Sequence, residues 1–200
     1  WHNLGALMTK DPHRKSEAEQ AYRKALEINP DIVFAWSNLG NLMSKGPQRI
    51  SEAERAFNRE LEIDPNDAAT WHNLGALLSK DPLKADEAEG AYRKALEIEP
   101  NNSSIWSNLG NLLIWNQGRR SDAESAYRKA LEIDPNNTVA WLNLGALSAS
   151  GLKWVSEEEN TLRKLMGGDP DDPIEKQKRE ALLDQNNKLA VEAEHAYRRA

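Results

Sequence analysis

The sequence contains no cysteine. This excludes disulfides, thiolate metal sites and cysteine catalysis, and it fits either redox compartment. No apolar run approaches the roughly 20 residues that a membrane-spanning helix needs, and the mean hydropathy is −0.77. A soluble chain with no membrane partner is therefore expected, with the cytoplasm favoured over secretion. Positive charge is in deficit: 26 Lys and Arg stand against 32 Asp and Glu, a net charge of −6. A duplex-binding footprint needs the opposite balance, so no nucleic-acid partner is expected. A glycine-rich phosphate loop is also missing. Gly167-Gly168 is a lone pair, better suited to stopping a helix. The four histidines, His2, His13, His72 and His195, lack partners at metal-ligand spacing. Carboxylates are many but recur as helix caps and solvated faces, so no catalytic pair stands out. The expectation is a chain with no cofactor, no metal and no catalysis of its own. Asn101-Asn102-Ser103 and Asn136-Asn137-Thr138 match glycosylation sequons, but in loops where asparagine is common anyway.

Phenylalanine is scarce as well, two residues against seven tryptophans. Five of the tryptophans, Trp1, Trp36, Trp71, Trp106 and Trp141, are spaced 35 residues apart. Leu4-Gly5, Leu39-Gly40, Leu74-Gly75, Leu109-Gly110 and Leu144-Gly145 keep the same step. So do Pro30, Pro65, Pro100, Pro135 and Pro170. A fixed period of this length means a stack of repeated supersecondary units.

Each unit reads as two helices. The first carries apolar residues at the tryptophan, three residues on, and six or seven on. The second is expected to begin at a capping box, Ser16 with Glu19, Ser51 with Glu54, Asp86 with Glu89, Ser121 with Glu124 and Ser156 with Glu159. It carries Ala-x-x-x-Tyr-x-x-Ala, as in Ala18, Tyr22 and Ala25, which places all three on one face. It ends before the proline, whose ring disfavours helix at the preceding residue. Asp11-Pro12, Gly46-Pro47, Asp81-Pro82 and Asn116-Gln117-Gly118 break the chain between the helices. The tryptophans read as packing residues of the core. Trp115 and Trp154 fall outside the column, at the turns, and are candidate partner contacts or covers for the edge of the next unit.

The order Trp-x-x-Leu-Gly, Ala-x-x-x-Tyr-x-x-Ala, Pro resembles the tetratricopeptide repeat family over essentially the whole chain. Met8, Met43, Leu78 and Leu113 stand where that family has its first tyrosine, and one extra residue sits in the inter-helix turn. The resemblance implies an all-α solenoid of stacked helix-turn-helix repeats, a right-handed superhelix. A single array over 1–200 is expected, with repeats at about 1–30, 31–65, 66–100, 101–135 and 136–170 and a degenerate, truncated repeat at 171–200. Both ends cut through a repeat, so a segment of a longer array or larger protein is expected.

The resemblance also implies that the first helices line a concave groove, with the position two after the tryptophan facing it. That column is Asn3, Asn38, Asn73, Asn108 and Asn143. An asparagine offers one acceptor and two donors, enough to bracket a peptide unit. The column is similar to the asparagine ladder in the arm of protein O-linked N-acetylglucosamine transferase. The competing reading is that these side chains only bond neighbouring helices and hold the angle between units. Asn41 and Asn111, five after the tryptophan, occur in the even units only, and His2 and His72, one after it, in the odd units. A 70-residue superperiod results. No lysine occupies the column after the tryptophan. The basic series Lys10, Lys45 and Lys80 lies near the turn, which weakens a clamp for acidic tails.

In the sixth unit Lys176, Lys178 and Arg179 take the Trp, Asn and Leu positions. They form either a basic patch at the end of the ladder or a polar capping helix. The function expected is a protein-interaction scaffold that holds an extended peptide or partner helix in the groove. Two alternatives stay open: a solenoid that self-associates through open repeat ends, and a substrate-recruiting arm of a larger enzyme.

Overall fold

A computed structural model of the chain describes residues 1–9, 11–115 and 119–147, together with Lys188 and Val191. Lys10, Trp154, Lys176, Lys178 and Arg179 lie outside the described residues. The described elements are all helical. They run α1 (His2–Thr9), α2 (Lys15–Ile28), α3 (Val33–Met43), α4 (Ile50–Ile63), α5 (Ala68–Leu78), α6 (Ala85–Ile98), α7 (Ser103–Trp115) and α8 (Arg120–Ile133), followed by α9 over 138–147. Odd-numbered helices are the first of each repeat and even-numbered ones the second. The chain falls into two compact units, Trp1–Asn108 and Leu109–Ala200, which divide inside α7 rather than at a repeat boundary.

Within the first unit α1 packs on α2, α3 on α4 and α5 on α6, and each hairpin leans on the next through α2 with α3 and α4 with α5. The second helices supply the small side of the core. Ala18, Ala53 and Ala88 are fully buried, and Tyr22, Phe57 and Tyr92 are buried beside them. The first helices answer with Leu39, Leu74, Leu77 and Leu78. In the second unit Ala123, Ala126, Tyr127 and Ala130 repeat the pattern on α8, with Leu144 and Leu147 on α9. On α1 the equivalent Leu4 and Leu7 are 40% and 63% exposed, against 3% for Leu39 and 4% for Leu74.

The leucine-glycine pair of the period has a steric cause. The ring of the buried aromatic lies flat against the glycine of its own hairpin. A Cβ on Gly5 would come within 2.7 Å of Tyr22, one on Gly40 within 2.6 Å of Phe57, and one on Gly75 within 2.8 Å of Tyr92. Gly110 stands in the same relation to Tyr127 in the second unit, at 2.6 Å. No side chain larger than hydrogen fits between the ring and the helix backbone.

Among the described residues the expected capping boxes do not form, and the fifth, Ser156 with Glu159, lies outside them. The chain enters each of α2, α4 and α6 through a 3-10 turn, Pro12–Arg14, Pro47–Arg49 and Pro82–Lys84, so Ser16, Ser51 and Asp86 are already inside a helix. In the first and third turns the cap is the aspartate before the proline. Asp11 accepts the His13 N–H at 2.9 Å and Asp81 that of Leu83 at 3.0 Å. Glu19, freed from capping, instead joins Arg23 and Arg49. The tryptophans also differ from expectation. Trp36, Trp71, Trp106 and Trp141 are half-buried rather than core, because each indole edge is drawn to the loop. Their Nε1–H groups donate to the carbonyls of Pro30, Pro65, Pro100 and Pro135, at 2.7, 2.9, 2.9 and 2.9 Å. The proline therefore does two things. It ends the second helix, and its carbonyl anchors the following first helix by the ring six residues on.

Candidate functional site

In the first unit α1 packs on α3, and His2, His72 and Asn108 reach between first helices of successive repeats. His2 of α1 has its ring centroid 6.2 Å from that of Phe34 of α3 and 6.5 Å from that of Tyr22. His72 of α5 lies 5.9 Å from Tyr92, and its Nε2 is 2.7 Å from Asn108 Nδ2, on the first helix of the next repeat. An amide nitrogen can only donate, so Nε2 accepts and His72 is neutral in this arrangement. Burial keeps it that way by pushing the imidazole pKa down, although Glu99 pulls it back in part.

The asparagines are polar side chains held half in and half out. Asn38, Asn73 and Asn108 are half-buried and Asn3 is exposed, while the Leu39 and Leu74 that follow are buried. The amide nitrogen of Asn38 is engaged by its own helix, donating to the Phe34 carbonyl at 2.7 Å. That of Asn108 is engaged by His72. In the second unit Asn143 Nδ2 donates to Asn111 Oδ1 at 2.7 Å. The column thus spends one amide hydrogen inside the protein at Asn38, Asn108 and Asn143, and each of these amides has a second hydrogen and a carbonyl Oδ1 besides.

The alternate asparagine column has a structural use that the sequence reading passed over. Each buried tyrosine needs a partner for its hydroxyl. Tyr22 finds Thr9 Oγ1 at 3.0 Å, and Tyr92 finds Ser79. In the fourth repeat Ile114 occupies the position of Thr9 and Ser79 and offers no oxygen, so Tyr127 donates instead to Asn111 Oδ1 at 2.7 Å. The second repeat has Phe57 and needs no partner; Asn41 there is half-buried. The signal was available: the tyrosine and its hydroxyl partner lie 13 residues apart in the first and third repeats.

Among the described residues no cluster of His, Asp or Glu could hold a metal ion. No described helix is long and apolar enough to cross a membrane. A shallow depression of about 380 Å³ at Glu99–Ser103 is the loop between α6 and α7 and brings no reactive groups together.

Comparison with curated protein sequences finds no match. Family models described as tetratricopeptide repeat match residues 14–32, 91–124 and 126–166. Solved structures share the fold. One titled as the crystal structure of MamA has a TM-score of 0.68 and 17% identity, over 99% of this chain and 99% of its own. MamA 41-end from Desulfovibrio magneticus RS-1 gives 0.66 and 14%, over 97% and 93%. YrrB, titled as a TPR protein with an unusual peptide-binding site, gives 0.63 and 22%, over 98% and 90%. The repeated Trp-Leu-Gly and Ala-Tyr-Ala columns, the helix hairpins they build and these matches together show that the chain carries tetratricopeptide repeats.

Proposed function

We propose that the chain is a protein-interaction scaffold that holds an extended peptide against the face of its first helices. The observation that carries this reading is the asparagine column. In every described repeat the position two after the tryptophan is an accessible asparagine, and from the second repeat on it stands beside a buried leucine. A row of such acceptors at one per repeat grips backbone rather than side chains, so affinity should depend weakly on ligand sequence. Asn3, Asn38, Asn73 and Asn108 supply the row in the first unit and Asn143 in the second, where Asn111 Oδ1 is already taken up by Tyr127 and Asn143. His2 and His72 flank it as aromatic surfaces against which a bound side chain can rest. The architecture shared with YrrB, described as a TPR protein with an unusual peptide-binding site, supports this reading. We further propose that the repeats form one array, with the basic residues Lys176, Lys178 and Arg179 following the ladder.

Selection from a random linear peptide library, with the wild type and an Asn38→Ala, Asn73→Ala, Asn108→Ala variant as baits, tests the proposal. The wild type should retain extended peptides and the variant should lose them, with the helical circular dichroism signal unchanged. Equal retention by both would show that the column serves only to fix helix against helix.

A further inference from the structure

Among the described residues one ionisable side chain is fully buried and incompletely bonded. Glu60, on α4, is 0% exposed. Its Oε2 accepts from Thr70 Oγ1 of α5 at 2.8 Å, and its Oε1 meets no donor. Thr70 is itself buried, 1% exposed. The period makes this pair stand out. The position of Glu60 is Ala25, Ala95 and Ala130 in the other second helices, and that of Thr70 is Ala35, Ile105 and Ala140 in the other first helices. Two polar residues have replaced two apolar ones at a single joint, that between the second and third repeats.

A second acid stands at the same place. Asp67 caps α5, accepting the Ala69 and Thr70 N–H groups at 2.9 and 3.2 Å, and its Oδ2 lies 3.5 Å from Thr70 Oγ1. Both carboxyl groups thus turn to one buried hydroxyl. Ser37 of α3 lies near the Glu60 carboxyl but donates its hydroxyl to the Phe34 carbonyl, and α3 holds no titratable side chain. On α5 the titratable group is His72, which faces Tyr92 and Asn108. Arg23, Arg49 and Lys84 engage Glu52 and Glu54 at the other end of α4. Arg59 pairs with Glu62 on the exposed side of the helix. The charge that acts on Glu60 is the negative one of Asp67.

We propose that Glu60, Thr70 and Asp67 form a proton-operated joint between the second and third repeats, closed while Glu60 carries a proton and loosened when it ionises. A neutral carboxyl tolerates burial with one oxygen unbonded. An anion there must draw in water or leave, since no cation faces it and a second carboxylate does. Leaving carries the Thr70 contact with it, and Thr70 sits in the first turn of α5, next to Trp71, whose indole anchors the loop at Pro65. Burial, with the Asp67 charge adding to it, raises the Glu60 pKa from 4.5 to about 7. The raised value belongs to the folded state. The stabilisation is therefore complete below pH 4.5, declines as pH rises, and is gone above about 7.

The test compares the wild type with Glu60→Gln, which keeps the shape without the titration, and with Glu60→Ala, which restores the residue of the other repeats. Urea denaturation is followed from pH 4.5 to pH 8. The folding equilibrium of the wild type should fall, relative to both variants, by about tenfold or more over this range. Hydrogen exchange at pH 8 then localises the effect. Amides over 57–72 should exchange about tenfold faster in the wild type than in Glu60→Ala, and those over 85–98 at equal rates. Parallel pH profiles for all three proteins, or a difference spread evenly along the chain, would overturn the proposal.

Discussion

Single residues decide whether a hairpin closes. Gly75 and Gly90 are both in helices, yet a Cβ at the first would lie 2.8 Å from the buried Tyr92 ring and at the second would meet nothing within 4 Å. Gly75→Ala should therefore cost about 1–3 kcal/mol by overpacking. Gly90→Ala should stabilise by about 0.5–1 kcal/mol through helix propensity. The shift of the urea midpoint measures both, and a loss at Gly90 would show that the distinction between ring-facing and solvent-facing glycines is wrong. The sequence makes the invariant column visible, but it does not tell why glycine stands there, because the contact is to a ring 17 residues away. Glu60 illustrates the opposite difficulty. Its departure from the alanine column is plain in the aligned repeats, yet only the fold shows that it is sealed against Thr70 rather than turned to solvent.

At the scale of the element, the loop after each second helix is an organised joint. The proline ends one helix, and its carbonyl receives the indole of the next. Trp71→Phe keeps the ring and loses this hydrogen bond, so it should cost about 0.5–1.5 kcal/mol. Trp71→Ala loses ring and bond together and should cost about 2–4 kcal/mol, somewhat under a fully buried aromatic. Equal losses in thermal denaturation would mean that the hydrogen bond carries nothing. A second link between hairpins is ionic. Arg49, at the start of α4, holds Glu19 of α2 at 2.6 Å and Glu52 at 3.0 Å. Arg49 holds the Glu19 carboxyl below its usual range, and Arg23 adds to the effect. This contribution is present above pH 4.5 and lost as pH falls through the depressed folded value. Glu19→Gln should flatten the acid limb of the stability profile by roughly 0.5–1 kcal/mol at low salt and less at high salt. An unchanged acid limb would show the pair to be energetically idle. Sequence reading misassigned Glu19 to a capping box because its spacing from Ser16 fits that motif. The proline turn starts the helix earlier, and Arg49 is 30 residues away, out of sight of any local pattern.

For the whole molecule, the 35-residue period was sufficient to give the class of fold. A unit that cannot bury its own apolar face must stack on the next, as α2 does on α3 and α4 on α5. The face that meets a partner is less legible. The asparagine column is evident in the sequence, but the use of its amide nitrogens by His72 and Asn111 depends on packing between repeats, and only the fold shows that Asn38 turns back on its own helix at Phe34. The central claim is that the remaining amide oxygens receive the backbone of another chain. The side-chain amide resonances of Asn38, Asn73 and Asn108, followed by two-dimensional nitrogen NMR while a library-selected peptide is titrated in, test this most directly. The account predicts that all three move together along one binding curve. Unmoved asparagine amides, with shifts confined to α2, α4 and α6, would contradict it.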